Sequence, residues 1–419
     1  MIAPATRAVR TAVHVVVVGL VALLFLLQPL PAVNRPWCPE TVHVGRHLHY
    51  LLNFDSPVYL DIAEEPARLF LPHGESRSRQ ARPLYMLAAR VLERPLRDAP
   101  GLRDMNMHPA YPAFAVVNLA ILFASLTLFT SIVGDSSRAW IVGTAIGILL
   151  FSNDVAKVFT WTPHQQLFNI LEPLACAAVA RHVAVRERLR STRVAAYGLG
   201  LGVLLLAYGS FALLLPALVA GLVVRWWRGE PRGRLVGAAV LASVTFALPM
   251  LAWVGFAYHR TGGFYVGETN EYRDFVWMLF ALRKGGVAHL GGVSRAFAQV
   301  FLRTFEVELL IPLFALGAGI ALTVAAGETT RQVVRERSAT LFACATAFAL
   351  NLLFFGLMGN YAPRLSFNVL PPVLAAVAVV VAGVVERQPV HAWRRTLVVI
   401  TMVVGVAHAY TVVKVGPWC

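Results

Sequence analysis

An all-α polytopic membrane protein of about eleven transmembrane helices is the fold class this sequence predicts, and three observations predict it. Of its 419 residues, 58% are hydrophobic and only 14% charged, where a soluble chain of this size carries about 25% charged residues. The apolar residues gather into runs near the ~20 residues that span a ~30 Å hydrocarbon core. The basic residues, which leave a formal net charge of +15, fall in short clusters in alternate gaps between those runs, as the positive-inside rule requires. Charge distributed in this way argues against a nucleic-acid-binding surface, and no nucleic-acid partner is expected. Nearly all of it is arginine, with lysine only at Lys157, Lys284 and Lys414.

The runs are Ala12–Leu30, Ala113–Val133, Ala139–Phe151, Leu167–Ala180, Val194–Ser210, Phe211–Val224, Leu235–Tyr258, Leu309–Gly327, Leu341–Met358, Leu370–Val385 and Thr396–Val413. The 194–224 stretch is continuous and too long for one span, so the sequence predicts a hairpin broken near Tyr208–Gly209–Ser210. Charge supports the break. With Arg7 and Arg10 on the cytoplasmic side, alternate loops then hold Arg138, the Arg181–Arg193 cluster, the Arg225–Arg234 cluster, Arg331–Arg337 and Arg387–Arg395, and every one is basic. A single span there would put the later clusters outside. The expected placement is a bacterial inner (plasma) membrane, multi-pass, with the N-terminus cytoplasmic and the C-terminus extracytoplasmic. Pro31–Ala32–Val33 after the first run also permits a cleaved signal peptide, which would leave the other spans unchanged.

The chain reads as a single transmembrane domain, 1–419, with extracytoplasmic loops at 31–112 and 259–308 and a short one at 152–166. Long loops in compact membrane proteins are usually functional. Within the first, Val58–Phe70 and Arg79–Leu92 carry apolar residues at helical spacing and are too polar to span, so interfacial helices are expected. The second offers two more, Glu271–Lys284 and Val293–Phe305. Cys176 and Cys344 lie within spans as small apolar fillers. Cys38 and Cys419 both fall outside in Pro-Trp-Cys contexts, where either a disulfide or two free thiols is compatible with the compartment. There is no Cys-x-x-Cys, no His-rich metal spacing and no glycine-rich phosphate loop.

Two stretches carry candidate chemistry. In Asn53–Phe54–Asp55–Ser56–Pro57–Val58–Tyr59, an acidic side chain stands at the mouth of a low-dielectric region, where it is costly unless used. Asp55 has the chemistry to take a proton from an attacking hydroxyl. It equally fits a helix N-cap before Pro57, and Ser56 is able to cap while Asp55 faces a cavity. In Asn360–Tyr361–Ala362–Pro363–Arg364–Leu365, Arg364 breaks the rule that outer loops are poor in basic residues. It reads either as a bidentate phosphate clamp or as an arginine snorkelling to lipid headgroups.

Together these pieces resemble the type C superfamily of integral membrane glycosyltransferases, the polyprenyl-phosphate-sugar-dependent enzymes of mannosyltransferase and aminoarabinose-transferase type. The resemblance covers essentially the whole chain. It rests on the cytoplasmic N-terminus, the long first outer loop with two interfacial helices, a D-x-x-x-Y-x-x-x-A pattern at Asp55, Tyr59 and Ala63, and a late element at Pro363, Arg364, Leu365, Leu370 and Pro371. Arg82–Pro83–Leu84–Tyr85 looks like the family's second interfacial helix. The chain departs from the pattern in having Ser56 where many members carry a second acid and Leu365 where tyrosine is usual. The resemblance implies a hexosyl- or pentosyltransferase. It would carry out inverting transfer of a sugar from a polyprenyl-phosphate donor to an acceptor hydroxyl of an envelope glycan, lipid or protein, at a site in contact with membrane lipid. Asp55 would be the base, and Arg364 with Arg82 or Lys157 would bind the donor phosphate. No cofactor is expected, because cationic side chains suffice for a monophosphate leaving group, although some members of the superfamily use a divalent cation.

Acceptor-side or supporting candidates are Asp154 and His164 in the short outer loop, Glu172 inside a span, Tyr59, and Glu268 and Glu271 in the second large loop. Asp154 also fits a helix cap, Glu172 a bond to a neighbouring helix, and Glu268 and Glu271 a solvated surface. Trp161, Tyr265 and Tyr272 suit stacking on sugars or simply an interfacial aromatic belt. The competing functions are a transporter or lipid flippase of the envelope and a non-catalytic assembly partner. Transporters show matched broken helices and polar groups near mid-membrane, whereas the candidates here gather at one face.

Overall fold

The apolar runs fold as helices because a backbone in hydrocarbon must satisfy its own hydrogen bonds. The structure, a computed structural model, describes residues 7–28, 40–43, 48–53, 55–71, 79–97, 108–185, 190–264, 275–359 and 367–414. In chain order these form α1 (Arg7–Phe25), the strands β1 (Glu40–His43) and β2 (His49–Leu52), then α2 (Ser56–Glu64), α3 (Pro83–Arg97), α4 (Tyr111–Val133) and α5 (Ser137–Gly147). There follow α6 (Asp154–Phe159), α7 (Phe168–Val185), α8 (Ser191–Leu205), α9 (Leu214–Trp227) and α10 (Arg232–Thr261). The rest comprises α11 (Trp277–Val324), α12 (Glu328–Glu336), α13 (Ser338–Met358), α14 (Leu370–Arg387) and α15 (Val390–Val413).

Among the described residues, eight helical stretches are long and apolar enough to cross a bilayer: Arg7–Phe25, Tyr111–Val133, Gln165–Val185, Gly209–Trp227, Arg232–Thr261, Ser338–Met358, Phe367–Arg387 and Val390–Val413. Two more expected spans are helical but shorter, at Ser137–Leu150 and Ser191–Leu205, and the run Leu309–Gly327 begins within α11 and passes its end at Val324. Among the described residues the expected spans are thus matched by eight full-length helices and two shorter ones, with the apolar end of α11 besides.

Val293–Phe305 is not a separate surface helix. It belongs to α11, whose break from helical geometry comes earlier, at Gly285 and Gly286, where φ of 65° at Gly286 needs glycine. The first outer loop carries its two expected helices, α2 and α3, and also an antiparallel ribbon that sequence reading missed, with Glu40 opposite Leu52 and His43 opposite His49.

The expected hairpin is present. The C-terminal end of α8 meets the start of α3, Leu84 N–H donating to the Leu206 carbonyl at 3.0 Å. At its other end, Val194 packs with Val183 of α7 and Leu222 of α9. Thus α8 runs antiparallel to α7 and α9. It lies tightly along α10 because Gly198 and Gly202 present no side chain: a Cβ on Gly202 would sit 2.1 Å from the Phe246 carbonyl oxygen. This spacing of small residues at four is a common way for membrane helices to approach.

The bundle has two chemically distinct ends. At one, Arg10 donates to the Asp135 carbonyl at 2.7 Å, Arg138 to the Gln388 carbonyl at 2.7 Å, Arg181 to the Ser131 carbonyl at 2.7 Å, and Arg337 meets Glu386 at 2.9 Å. The basic loops that the sequence assigns to one side thus do converge. The opposite end holds the ribbon, α2, α3, α6 and the turn leading into α7.

Candidate functional site

The second end is organised around Asp55. This residue takes the position before the first turn of α2, with Pro57 in that turn, as a cap would, yet its side chain makes no capping hydrogen bond. Asn53 Oδ1 instead accepts from the Asp55 N–H at 3.0 Å. The carboxylate, only 13% exposed, turns to Arg79, whose Nη2 lies 2.9 Å from Oδ1, and to His164, whose Nε2 lies 3.3 Å from Oδ2. The neighbouring Ser56 hydroxyl is buried and has no partner among the described residues. The cap alternative for the Asp55 side chain is therefore set aside by its geometry.

Each partner is itself held. Tyr59, one turn along α2 and fully buried, lies under the Arg79 guanidinium at 5.1 Å from its ring centre and packs on His164 at 5.2 Å; a guanidinium over an aromatic face is an attractive arrangement. The Tyr85 hydroxyl of α3 donates to Asn118 Oδ1 at 2.8 Å and accepts from the His164 N–H at 3.1 Å. Burial pushes the Tyr85 phenol well above its usual range, so it remains a neutral donor. Asn118, inside α4, sends its Nδ2 to the carbonyls of Phe159, Thr160 and Thr162 at 3.1, 3.3 and 3.0 Å. One amide thus clamps the turn between α6 and α7 that carries His164.

The other expected residues divide. Arg82 is half-buried at the entry to α3, its N–H bonded to the Arg79 carbonyl at 2.9 Å. Lys157, expected as a phosphate-binding cation, is buried and directs its Nζ to the carbonyls of Thr411, at 3.0 Å, and Lys414. It satisfies the end of α15, the usual service of a lysine near a helix C-terminus. Asp154 is 1% exposed and lies 3.3 Å from the Lys414 ammonium; the cap of α6 is Asn153, which accepts from the Ala156 N–H at 2.9 Å. Glu172 is fully buried on α7 and its Oε1 accepts from the Cys176 thiol at 2.8 Å, so it is bonded within the bundle. Trp161 donates to the Ala22 carbonyl of α1 at 2.8 Å. Arg364, Glu268, Glu271, Tyr265, Tyr272, Cys38 and Cys419 lie outside the described residues, while Cys176 and Cys344 are buried free thiols.

Sequence reading missed Arg79, Tyr85 and Asn118. A signal for Arg79 existed: Arg77–Ser78–Arg79 is basic in an outer loop, the same anomaly that singles out Arg364. Among the described residues no group of three His, Cys, Asp or Glu side chains gathers as metal ligands. At Asp55 a guanidinium faces one carboxylate oxygen at 2.9 Å.

No family model and no curated protein matches the chain. A solved structure that resembles it is that of ArnT from Cupriavidus metallidurans in the apo state, with a TM-score of 0.49 and 12% identity, over 92% of this chain and 61% of that one. This chain thus spans about three fifths of the length of that protein. Likeness of this degree assigns no activity or substrate, and the membrane-spanning architecture stands on the helices themselves.

Proposed function

We propose that this protein is an inverting glycosyltransferase that moves a sugar from a polyprenyl-phosphate donor to an acceptor hydroxyl at the extracytoplasmic face of a bacterial inner membrane. The observation that carries the reading is the Asp55 carboxylate, relieved of capping and held between Arg79 and His164 at the end of the bundle opposite the basic loops. The N-terminus would be cytoplasmic and the C-terminus exported, since the basic loops gather at the end opposite Asp55.

In this reading the acceptor hydroxyl gives its proton to an Asp55 oxygen as its own oxygen attacks the anomeric carbon. The bond from that carbon to the phosphate oxygen breaks in the same step, and polyprenyl phosphate leaves. Arg79 has five donors in a rigid fork, enough to keep one on Asp55 while others meet the departing phosphate, with Arg364 and Arg82 as further candidate cations. His164, through its contact to Oδ2, would fix which carboxylate oxygen faces the acceptor. Charge stabilisation of this kind acts where water is excluded, and Asp55 and Arg79 are 13% and 12% exposed.

The test is intact mass analysis of envelope glycans from cells with the gene, without it, and carrying Asp55→Asn. The reading expects one sugar-sized loss in both the deletion and the variant, at normal protein level. Unchanged glycans in the deletion would remove the proposal. A transporter is the second reading, favoured by fully buried Asn169, Glu172 and Asn351 inside the bundle. Transport that fails in Glu172→Gln but survives Asp55→Asn would select it.

A further inference from the structure

The molecule has a concave feature away from Asp55, at the end where the basic loops converge. While α8 lies close on α10 at Gly198 and Gly202, it meets α7 and α9 through Val194, Val183 and Leu222 and leaves a hollow beside that contact. The result is a cleft of about 580 Å³ between α4, α7, α8 and α9, within the range of about 300–1,000 Å³ typical of small-molecule sites. Its floor is apolar, with Val179, Leu201 and Leu218 among its residues, and its mouth carries Asp135, Arg181, His182 and Tyr197. The outer wall, α8, exposes Tyr197, Leu199 and Val203, so the cleft borders the hydrocarbon of the surrounding leaflet. An apolar hollow bordering hydrocarbon suits an acyl chain, and the polar groups at the mouth would select the lipid that supplies it.

We infer that this cleft is a binding site for one zwitterionic phospholipid of the leaflet at the basic end, its phosphate on Arg181 and its ammonium on Asp135. The Arg181 Nη1 is anchored to the Ser131 carbonyl at 2.7 Å, which fixes the guanidinium at the mouth. His182 and Tyr197, joined at 2.8 Å, add a polar edge on the α8 side. One guanidinium and one carboxylate at a shared mouth complement a headgroup bearing both charges. An anionic lipid without an ammonium would set its only charge beside Asp135, which is unfavourable. The site is independent of the transfer reaction proposed for Asp55.

The experiment is native mass spectrometry of the full chain purified in non-ionic detergent, with phosphatidylethanolamine or phosphatidylglycerol of identical acyl chains added. One phosphatidylethanolamine per chain is expected, preferred over phosphatidylglycerol by about tenfold, or ~1.4 kcal/mol. Asp135→Asn, an exposed change, abolishes the preference while retaining binding. Arg181→Gln weakens both lipids, and Leu201→Trp, which fills the floor, lowers occupancy of both. Equal retention of the two lipids by the unaltered protein overturns the proposal, as does an undiminished preference in Asp135→Asn, or retention of detergent only.

Discussion

At the end of the bundle where α4, α7 and α14 close, arginines answer backbone carbonyls and half-exposed carboxylates: Arg138 serves the Gln388 carbonyl, and Arg337 meets Glu386 at 2.9 Å with the two side chains 29% and 21% exposed. At the Asp55 end, Arg79 is 12% exposed, is stacked over Tyr59, and faces a carboxylate that a histidine also touches. The first arrangement ends helices and ties their loops together. The second keeps a charged pair in a dry setting, where charges are costly unless they have work to do. The same side chain thus reports different roles according to what it faces and how much water it retains.

Substitutions at the two ends sharpen that contrast. Arg79→Gln is expected to lower sugar transfer by about 10²–10³-fold, the scale for removing one charge-stabilising donor, with expression unchanged; a transfer assay with labelled lipid-linked sugar measures it. Asn118→Ala removes the clamp on three carbonyls. It is expected to cost about 1–3 kcal/mol, read as a lower thermal midpoint in detergent, together with slower transfer as the His164 turn loosens. Arg337→Gln at the opposite end is expected to change stability by only ~0–1 kcal/mol, the usual worth of a partly exposed pair, and to leave transfer unaltered. Equal losses of transfer from Arg79→Gln and Arg337→Gln would erase the distinction between the ends.

The membrane-spanning helical class was legible because each long helix is set by its own apolar run, and the parity of arginine loops supported a break near Tyr208–Gly209–Ser210 inside a continuous run. The ribbon of Glu40–His43 with His49–Leu52 was not legible, since two four-residue strands carry too little pattern to stand out from a polar loop. Asp55, Tyr59 and His164 were read as candidates, and the structure brings them together. Lys157 was read from its loop position, whereas its carbonyl partners at Thr411 and Lys414 are set by how α15 ends, a long-range fact without a local signature. Asn118 left a faint signal, a lone amide in an apolar span, but its three carbonyl partners come from a turn some forty residues on. The residues around Asp55 are thus contributed by segments whose spacing in sequence says nothing of their meeting.

The most direct measurement is the initial rate of sugar transfer by purified protein in vesicles containing a labelled polyprenyl-phosphate sugar, comparing the unaltered chain with Asp55→Asn. Asparagine keeps the size and the hydrogen-bonding reach of the side chain but is a far weaker base, so the account predicts a fall of about 10²–10⁴-fold in protein that remains folded, with a lower thermal midpoint because Arg79 loses its countercharge. Transfer by Asp55→Asn at the unaltered rate would contradict it.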